Sequence, residues 1–364
     1  MPESVMVDNR EWTPKRPEAT ATTRRGLKGA SAAVSACALV ALALIPSLVS
    51  SDYVLLFLAG AFVYAAFAGA WAIQSGFTGY LNLGYAMFVG LGAYTAANLD
   101  VRFGAPLWVT VSAGLGVAVI YSVLFGAATL RIKSHYIILA TLAAVAAMET
   151  TAHIWRTYTH GEDGIPGITV FGAPEIRYYA ALAFLVVCAA VLLLLATSRH
   201  GLVLHAIRHS EDTARASGVD TVRYRLVVFT LSAAIGGGGG AMLIHILGYA
   251  GTYNISLELS LTILVYGVVG GTTSVLGPMV TAVVLVSLGE YLRAYGDFRV
   301  LMEAVILILA IRFMPAGLGP TVRHRLRKSR RGLVAPRPAP ASLWQVVATS
   351  GTTSIEKDER DASG

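Results

Sequence analysis

Charge is scarce in this chain. Asp, Glu, Lys and Arg make up 13% of its 364 residues, against about 25% in an ordinary soluble domain. Cysteine is scarcer still. Cys37 and Cys188 both sit inside apolar runs, where they read as small buried hydrophobes and give no sign of a disulfide framework or a metal site. Several motifs are missing as well. No GxxxxGK[ST] stretch occurs, which excludes ATP hydrolysis through a P-loop in this chain. HExxH, paired CxxC and GxSxG are absent too, so metal-dependent and nucleophile-elbow hydrolysis lose their usual signatures. Strand-like alternation over about ten residues, the mark of a membrane barrel, is also lacking.

What the chain has is apolar length. Hydrophobic residues reach 55% and the mean hydropathy is +0.64. They come in unbroken runs, where a soluble helix would show a stripe. In a bilayer every backbone N–H and C=O must be bonded internally, so such runs are read as spanning helices. The expected fold class is all-α: a polytopic transmembrane bundle of about ten spans with both termini cytoplasmic. The spans fall near 30–50, 53–73, 81–99, 106–128, 135–155, 178–197, 226–248, 257–272, 276–293 and 299–313. Residues 1–29 and 321–364 read as disordered cytoplasmic tails, the second basic and Pro-rich and able to touch anionic lipid. The stretch 30–320 is the membrane domain.

Charge placement fixes the count. The run 259–289 would reach about 46 Å as one helix at 1.5 Å per residue, and Gly270, Gly271, Thr272, Thr273, Ser274, Gly277 and Pro278 form a turn-prone cluster at its middle. Splitting it there puts 23 of the 28 Lys and Arg residues on one side, as the positive-inside rule requires of cytoplasmic segments. The formal net charge of +7 therefore marks loops rather than a nucleic-acid surface.

Three stretches carry candidate function. Residues 76–85 place Gly76, Gly79, Gly84, Asn82 and Tyr85 where the third span begins. Such a run serves either tight helix packing or a discontinuous helix lining a pathway. Glu149 and His153 stand four apart on one helical face, as a solute contact or a mutual structural pair, and the pair is favoured because interfacial charges commonly snorkel. Glu290 and Glu303 read as structural on the same ground. In the loop 198–225, helical spacing over 204–217 aligns Leu204, Ile207 and Arg208 with Glu211, Ala214 and Arg215, and Gly218 is placed to end that helix.

The stretches 76–94, 130–142, 159–168, 201–218, 270–278 and 312–318, taken in order, resemble the branched-chain amino-acid ABC permeases, LivM type. Residues 76–94 (GFTGYLNLGYAMFVGLGAY) are similar to that family's G-x-x-S-L-G-H-A-x-F-x-G-I-G-A-Y segment. Residues 130–142 (LRIKSHYIILATL) resemble L-R-x-x-G-x-Y-F-A-I-x-T-L. Residues 159–168 (THGEDGIPGI) resemble the outer-loop pattern T-x-G-x-x-G-I/L-x-G-I, through Gly161, Glu162, Asp163 and Gly164. Residues 201–211 (GLVLHAIRHSE), with Ala214 and Gly218, are similar to G-R-A-L-x-A-I-R-x-x-E-x-A-A-x-x-x-G. Residues 270–278 (GGTTSVLGP) and 312–318 (RFMPAGL) resemble G-G-x-G-S-x-x-G-P and F-R-P-x-G-L.

The resemblance implies a transport subunit of the bacterial plasma membrane and no enzyme. It implies three kinds of partner: a LivH-type permease paralogue, two ABC ATPase subunits that bind the ATP, and an extracytoplasmic solute-binding protein; membrane lipid is the further partner, read from the basic tail. No cofactor is implied for this chain. Arg208, Glu211, Ala214 and Gly218 take the role of docking to the ATPase, and Asn82, Gly84, Tyr85, Glu149 and His153 are the candidate pathway residues. Tyr80, Asn82 and Tyr85 depart from the family's usual Ile or Leu, Ser and His, which loosens the solute from leucine to small amino-acid or amide solutes generally. A secondary transporter or channel with a Glu149/His153 relay and a ribose-type sugar permease are the competing readings.

Overall fold

The computed structural model describes residues 40–49, 51–132 and 134–292. Both tails, the expected tenth span at 299–313 and most of the first span lie outside the described residues. Helix α1 occupies 40–48. It is followed by α2 (Asp52–Trp71), α3 (Ala86–Phe103), α4 (Leu107–Thr129), α5 (Ser134–Ile154) and the single turn α6 (Arg156–Thr159). Next come α7 (Pro174–Thr197), α8 (Arg199–His209), α9 (Glu211–Ala216), α10 (Thr221–Leu247), α11 (Leu257–Gly270) and α12 (Leu276–Leu292). Two-residue strands, β1 (Ile165–Pro166) and β2 (Tyr249–Ala250), pair antiparallel.

Eight of these helices stand where eight of the ten spans were expected. Among the described residues five are long and apolar enough to cross a membrane: Asp52–Gly76, Leu107–Thr129, Tyr136–Ile154, Pro174–Thr197 and Thr221–Leu247. The run 259–289 is indeed two helices. A Cβ on Gly270 would overlap the backbone of Pro278, so only glycine lets the two arms meet there.

Helices α2 and α10 form the centre, with 72% and 78% of their apolar windows buried against 22% for α4, α5 and α7. Apolar transfer gives little drive between helices already in lipid, so close backbone approach has to hold such a bundle. Five consecutive glycines in α10 supply it. Successive residues on a helix point about 100° apart, so Gly236 to Gly240 serve several neighbours at once. Gly236 faces Phe88 of α3, Gly237 meets Gly114 and Ala118 of α4, Gly239 meets the Phe67 ring of α2, and Gly240 meets the Val89 carbonyl of α3.

The connections sort to two ends. Gly76 touches Thr272 and accepts a hydrogen bond from Arg208, which brings the α2–α3, α8–α9 and α11–α12 connections together. At the other end Asn98 donates to the Tyr158 carbonyl and Asp100 accepts from the Thr169 N–H, beside the β1–β2 pair.

Candidate functional site

Helix α2 does not simply end. It widens into a π turn over Ala72–Gly76, and the chain then runs non-helically from Gly79 to Tyr85 before α3 begins at Ala86. The third span thus starts five residues later than hydropathy predicts. Irregular backbone at bilayer depth is tolerated only where protein satisfies it, and here side-chain oxygens meet four N–H groups along it, while the buried Asn82 Nδ2 has no partner. Asn82 N–H donates to Ser75 Oγ at 3.2 Å, and Leu83 N–H to Thr141 Oγ1 of α5 at 3.1 Å. Gly84 N–H donates to Asn82 Oδ1 at 2.8 Å, and Ala86 N–H to Ser260 Oγ of α11 at 2.9 Å. Trp71 Nε1 donates to the Asn82 carbonyl at 2.9 Å.

Asn82, Gly84 and Tyr85 are all turned into the bundle. Asn82 uses its carbonyl oxygen to close the turn at Gly84. Gly84 packs so near the Thr141 carbonyl that a side chain would overlap it. Tyr85 donates its hydroxyl to the Ser232 carbonyl of α10 at 3.1 Å and lies among the rings of Phe67 and Phe88. The outward side of the break alternates with them: Gly79 and Leu81 are exposed and Leu83 is half-buried.

The segment expected as one helix over 204–217 is two. Ser210, extended at φ −159°, breaks it and caps α9 by accepting from the Thr213 N–H. Gly218, at φ +83°, ends α9 with its N–H on the Arg215 carbonyl at 2.9 Å, as the glycine at the helix end was expected to do. Leu204, Ile207 and Ala214 are buried. Arg208 and Glu211 both bond inward. Arg208 Nη1 donates to the Gly76 carbonyl at the end of the π turn. Glu211 holds Arg225 of α10 with both oxygens, at 3.0 and 2.8 Å, and accepts from Arg215 at 2.6 Å. The Arg225 guanidinium in turn lies 5.6 Å from the centre of the Tyr80 ring. His205 packs on Phe77, ring centres 4.5 Å apart. Burial, then the charges of Arg208 and His209, push the His205 pKa down.

Glu149 and His153 do not pair with each other. Glu149 Oε2 accepts the Leu257 N–H at 3.0 Å, capping α11 beside Ser256, whose Oγ accepts from Leu259 N–H. A carboxylate suits that end of a helix dipole. His153 faces Glu162 at 3.9 Å across the 159–168 loop. In that loop Gly161 N–H donates to Thr159 Oγ1, the Asp163 carbonyl accepts from the Tyr249 hydroxyl, and Gly164 sits at φ +65° against Tyr249. Glu290 accepts from the Tyr53 hydroxyl.

Sequence reading missed the residues that hold the break. Ser75, Thr141 and Ser260 are single hydroxyls inside apolar runs, and nothing in hydropathy distinguishes them from residues bonded to their own helix. Arg225 was counted only as a loop charge. The signal available for it was its place fourteen residues after Glu211 at the start of the next span.

Residues 53–313 match the family described as branched-chain amino acid transport system, permease component. The chain belongs to this family. Together with its long apolar helices, that makes it a multi-pass membrane protein. Members similar to it include the high-affinity branched-chain amino acid transport system permease protein LivM of Salmonella typhimurium, 27% identical over 282 residues, 69% of this chain and 66% of that protein. The protein of the same name from Escherichia coli is 26% identical over the same shares. The match thus spans just under two thirds of the length of each relative. No solved structure matches the chain.

Proposed function

We propose that this chain is the membrane-spanning permease subunit of a bacterial plasma-membrane ABC importer for branched-chain amino acids or similar small amino-acid or amide solutes. The observation that carries the reading is the permease-family match over residues 53–313, which contains both the broken helix and the α8–α9 segment. A chain without a P-loop needs its ATP hydrolysed elsewhere, so two ATPase subunits meet it at the end where α8 and α9 lie. A LivH-type paralogue completes the membrane part and an extracytoplasmic binding protein delivers solute. The break at 79–85 lines the pathway through Gly79, Leu81 and Leu83, while Asn82, Gly84 and Tyr85 fix its shape from behind. Arg208, Glu211, Ala214 and Gly218 set the form of the docking segment.

The test is co-purification with site-directed crosslinking. A photoreactive group at exposed Leu202 or His209 of α8 should capture a P-loop ATPase encoded beside this chain. Capture of no ATPase in membranes that still take up solute would count against the assignment.

A further inference from the structure

The last carbonyls of a helix lose their ladder donors, and a π turn that ends in a break leaves them inside the bundle. Gly76 is the last residue of that turn, and its carbonyl is met by Arg208 from α8. A cation suits that end of the helix. Three residues earlier, on the same face of α8, His205 packs on Phe77. The chain next turns at Gly79, φ +84°, where an added Cβ would stand 3.1 Å from Arg208 Cγ and 3.4 Å from its Cα. Helix α9 reaches the same stretch from the side, through Glu211, Arg225 and the Tyr80 ring. Residues 76, 77, 79 and 80 are therefore all gripped by α8–α9, directly or through one side chain.

We propose that Arg208 is the positioning residue through which a displacement of α8–α9 is passed to the broken segment 76–85, acting within the permease and not at the ATPase surface. This rests on the reading above that an ATPase meets α8–α9. The face left for that partner is the opposite one, where Leu202 is 72% exposed and Ala206, His209 and Thr213 are exposed beside it. A charge-assisted bond suits the transmitting role. Its donor sits on a rigid planar group, and in this part-buried setting it resists breaking more than a neutral bond would.

The test uses the complete transporter in liposomes, with ATPases, paralogue and binding protein, and the variants Arg208→Met and Arg208→Lys. The readout is solute moved per ATP hydrolysed. Arg208→Met should lower it by about tenfold or more, the factor that a hydrogen bond to a charged group is worth. Arg208→Lys, which keeps the charge but loses the fork, should recover part of it. An unchanged ratio overturns the proposal. So does loss of the ATPases from the Arg208→Met complex, which would make Arg208 a docking contact. A second measurement needs no partner: spin labels at positions 81 and 209 of the chain alone in nanodiscs. The distance between them should be narrowly distributed with Arg208 present and broad with Arg208→Met, and an equally narrow distance in both overturns the proposal. Absence of ATP-dependent uptake by the unsubstituted complex would instead sink the importer reading, and the label experiment would still judge the contact.

Discussion

Arg225, 3% exposed in the first turns of α10, is held by both carboxylate oxygens of Glu211. Removing one partner of a buried ion pair leaves an uncompensated charge, at a cost of about 3–5 kcal/mol. Glu211→Ala should therefore loosen α9 from α10 before it alters any surface a partner could touch. Hydrogen exchange over 211–225 and the thermal melt of the detergent-solubilised chain would read this. Adding Arg225→Met should restore much of the loss, and a double variant as unstable as the sum of the two singles would show that the pair is not coupled.

The break and the coupling segment were legible in unequal parts. Glycine-rich 76–85 marked the position of a discontinuity, since Gly79 turns the chain at φ +84° and Gly84 stands where a side chain has no room. Hydropathy nevertheless carried the third span back to residue 81. It reports how apolar a run is, and it cannot tell whether an amide bonds to its own helix or to a hydroxyl from α5 or α11, 58 and 174 residues away. The break at Ser210 was hidden for the opposite reason: helical spacing continues through it, while Ser210 instead caps the turn that follows. Spans set by long apolar runs alone, α4, α7 and α10 among them, were placed to within a few residues.

Glu149 is a cap in this fold, bonded to the Leu257 N–H. Glu149→Gln keeps an acceptor oxygen and should leave uptake nearly intact. Glu149→Ala should destabilise the start of α11 by about 1 kcal/mol, the usual worth of such a cap. Solute flux driven by a pH gradient and lost on Glu149→Gln would favour a proton relay instead.

The close approach of α3 to α10 makes a sharp prediction about glycine. A methyl on Gly92 would overlap the Gly237 backbone, and one on Gly240 the Val89 carbonyl. Gly92→Ala and Gly240→Ala should each lower the melting temperature by prising these helices apart. Gly60→Ala in α2, where an added Cβ meets nothing within 4 Å, should be neutral or stabilise by about 0.5–1 kcal/mol through helix propensity. Equal effects at all three positions would contradict the packing described.

Protonation should weaken the grip of α8 on the break. The His205 pKa is pushed down in the fold, while a free imidazole titrates near about 6.5. The stability drawn from the neutral ring is thus whole above that value and is lost as pH falls from there through the lowered folded pKa. Amide protection over 199–209, with the pH dependence of intrinsic exchange divided out, should fall on going from neutral to mildly acidic pH. His205→Phe keeps a ring on Phe77 without a titrating group and should flatten that pH response; an unaltered response would place its origin elsewhere.

The importer reading stands or falls most directly on uptake of radiolabelled leucine and its near relatives into liposomes holding this chain, its paralogue and the two ATPases. Accumulation is expected only when ATP is supplied on the ATPase side and a loaded binding protein on the other. Uptake by this chain alone, without ATP and driven by an ion gradient, would contradict it.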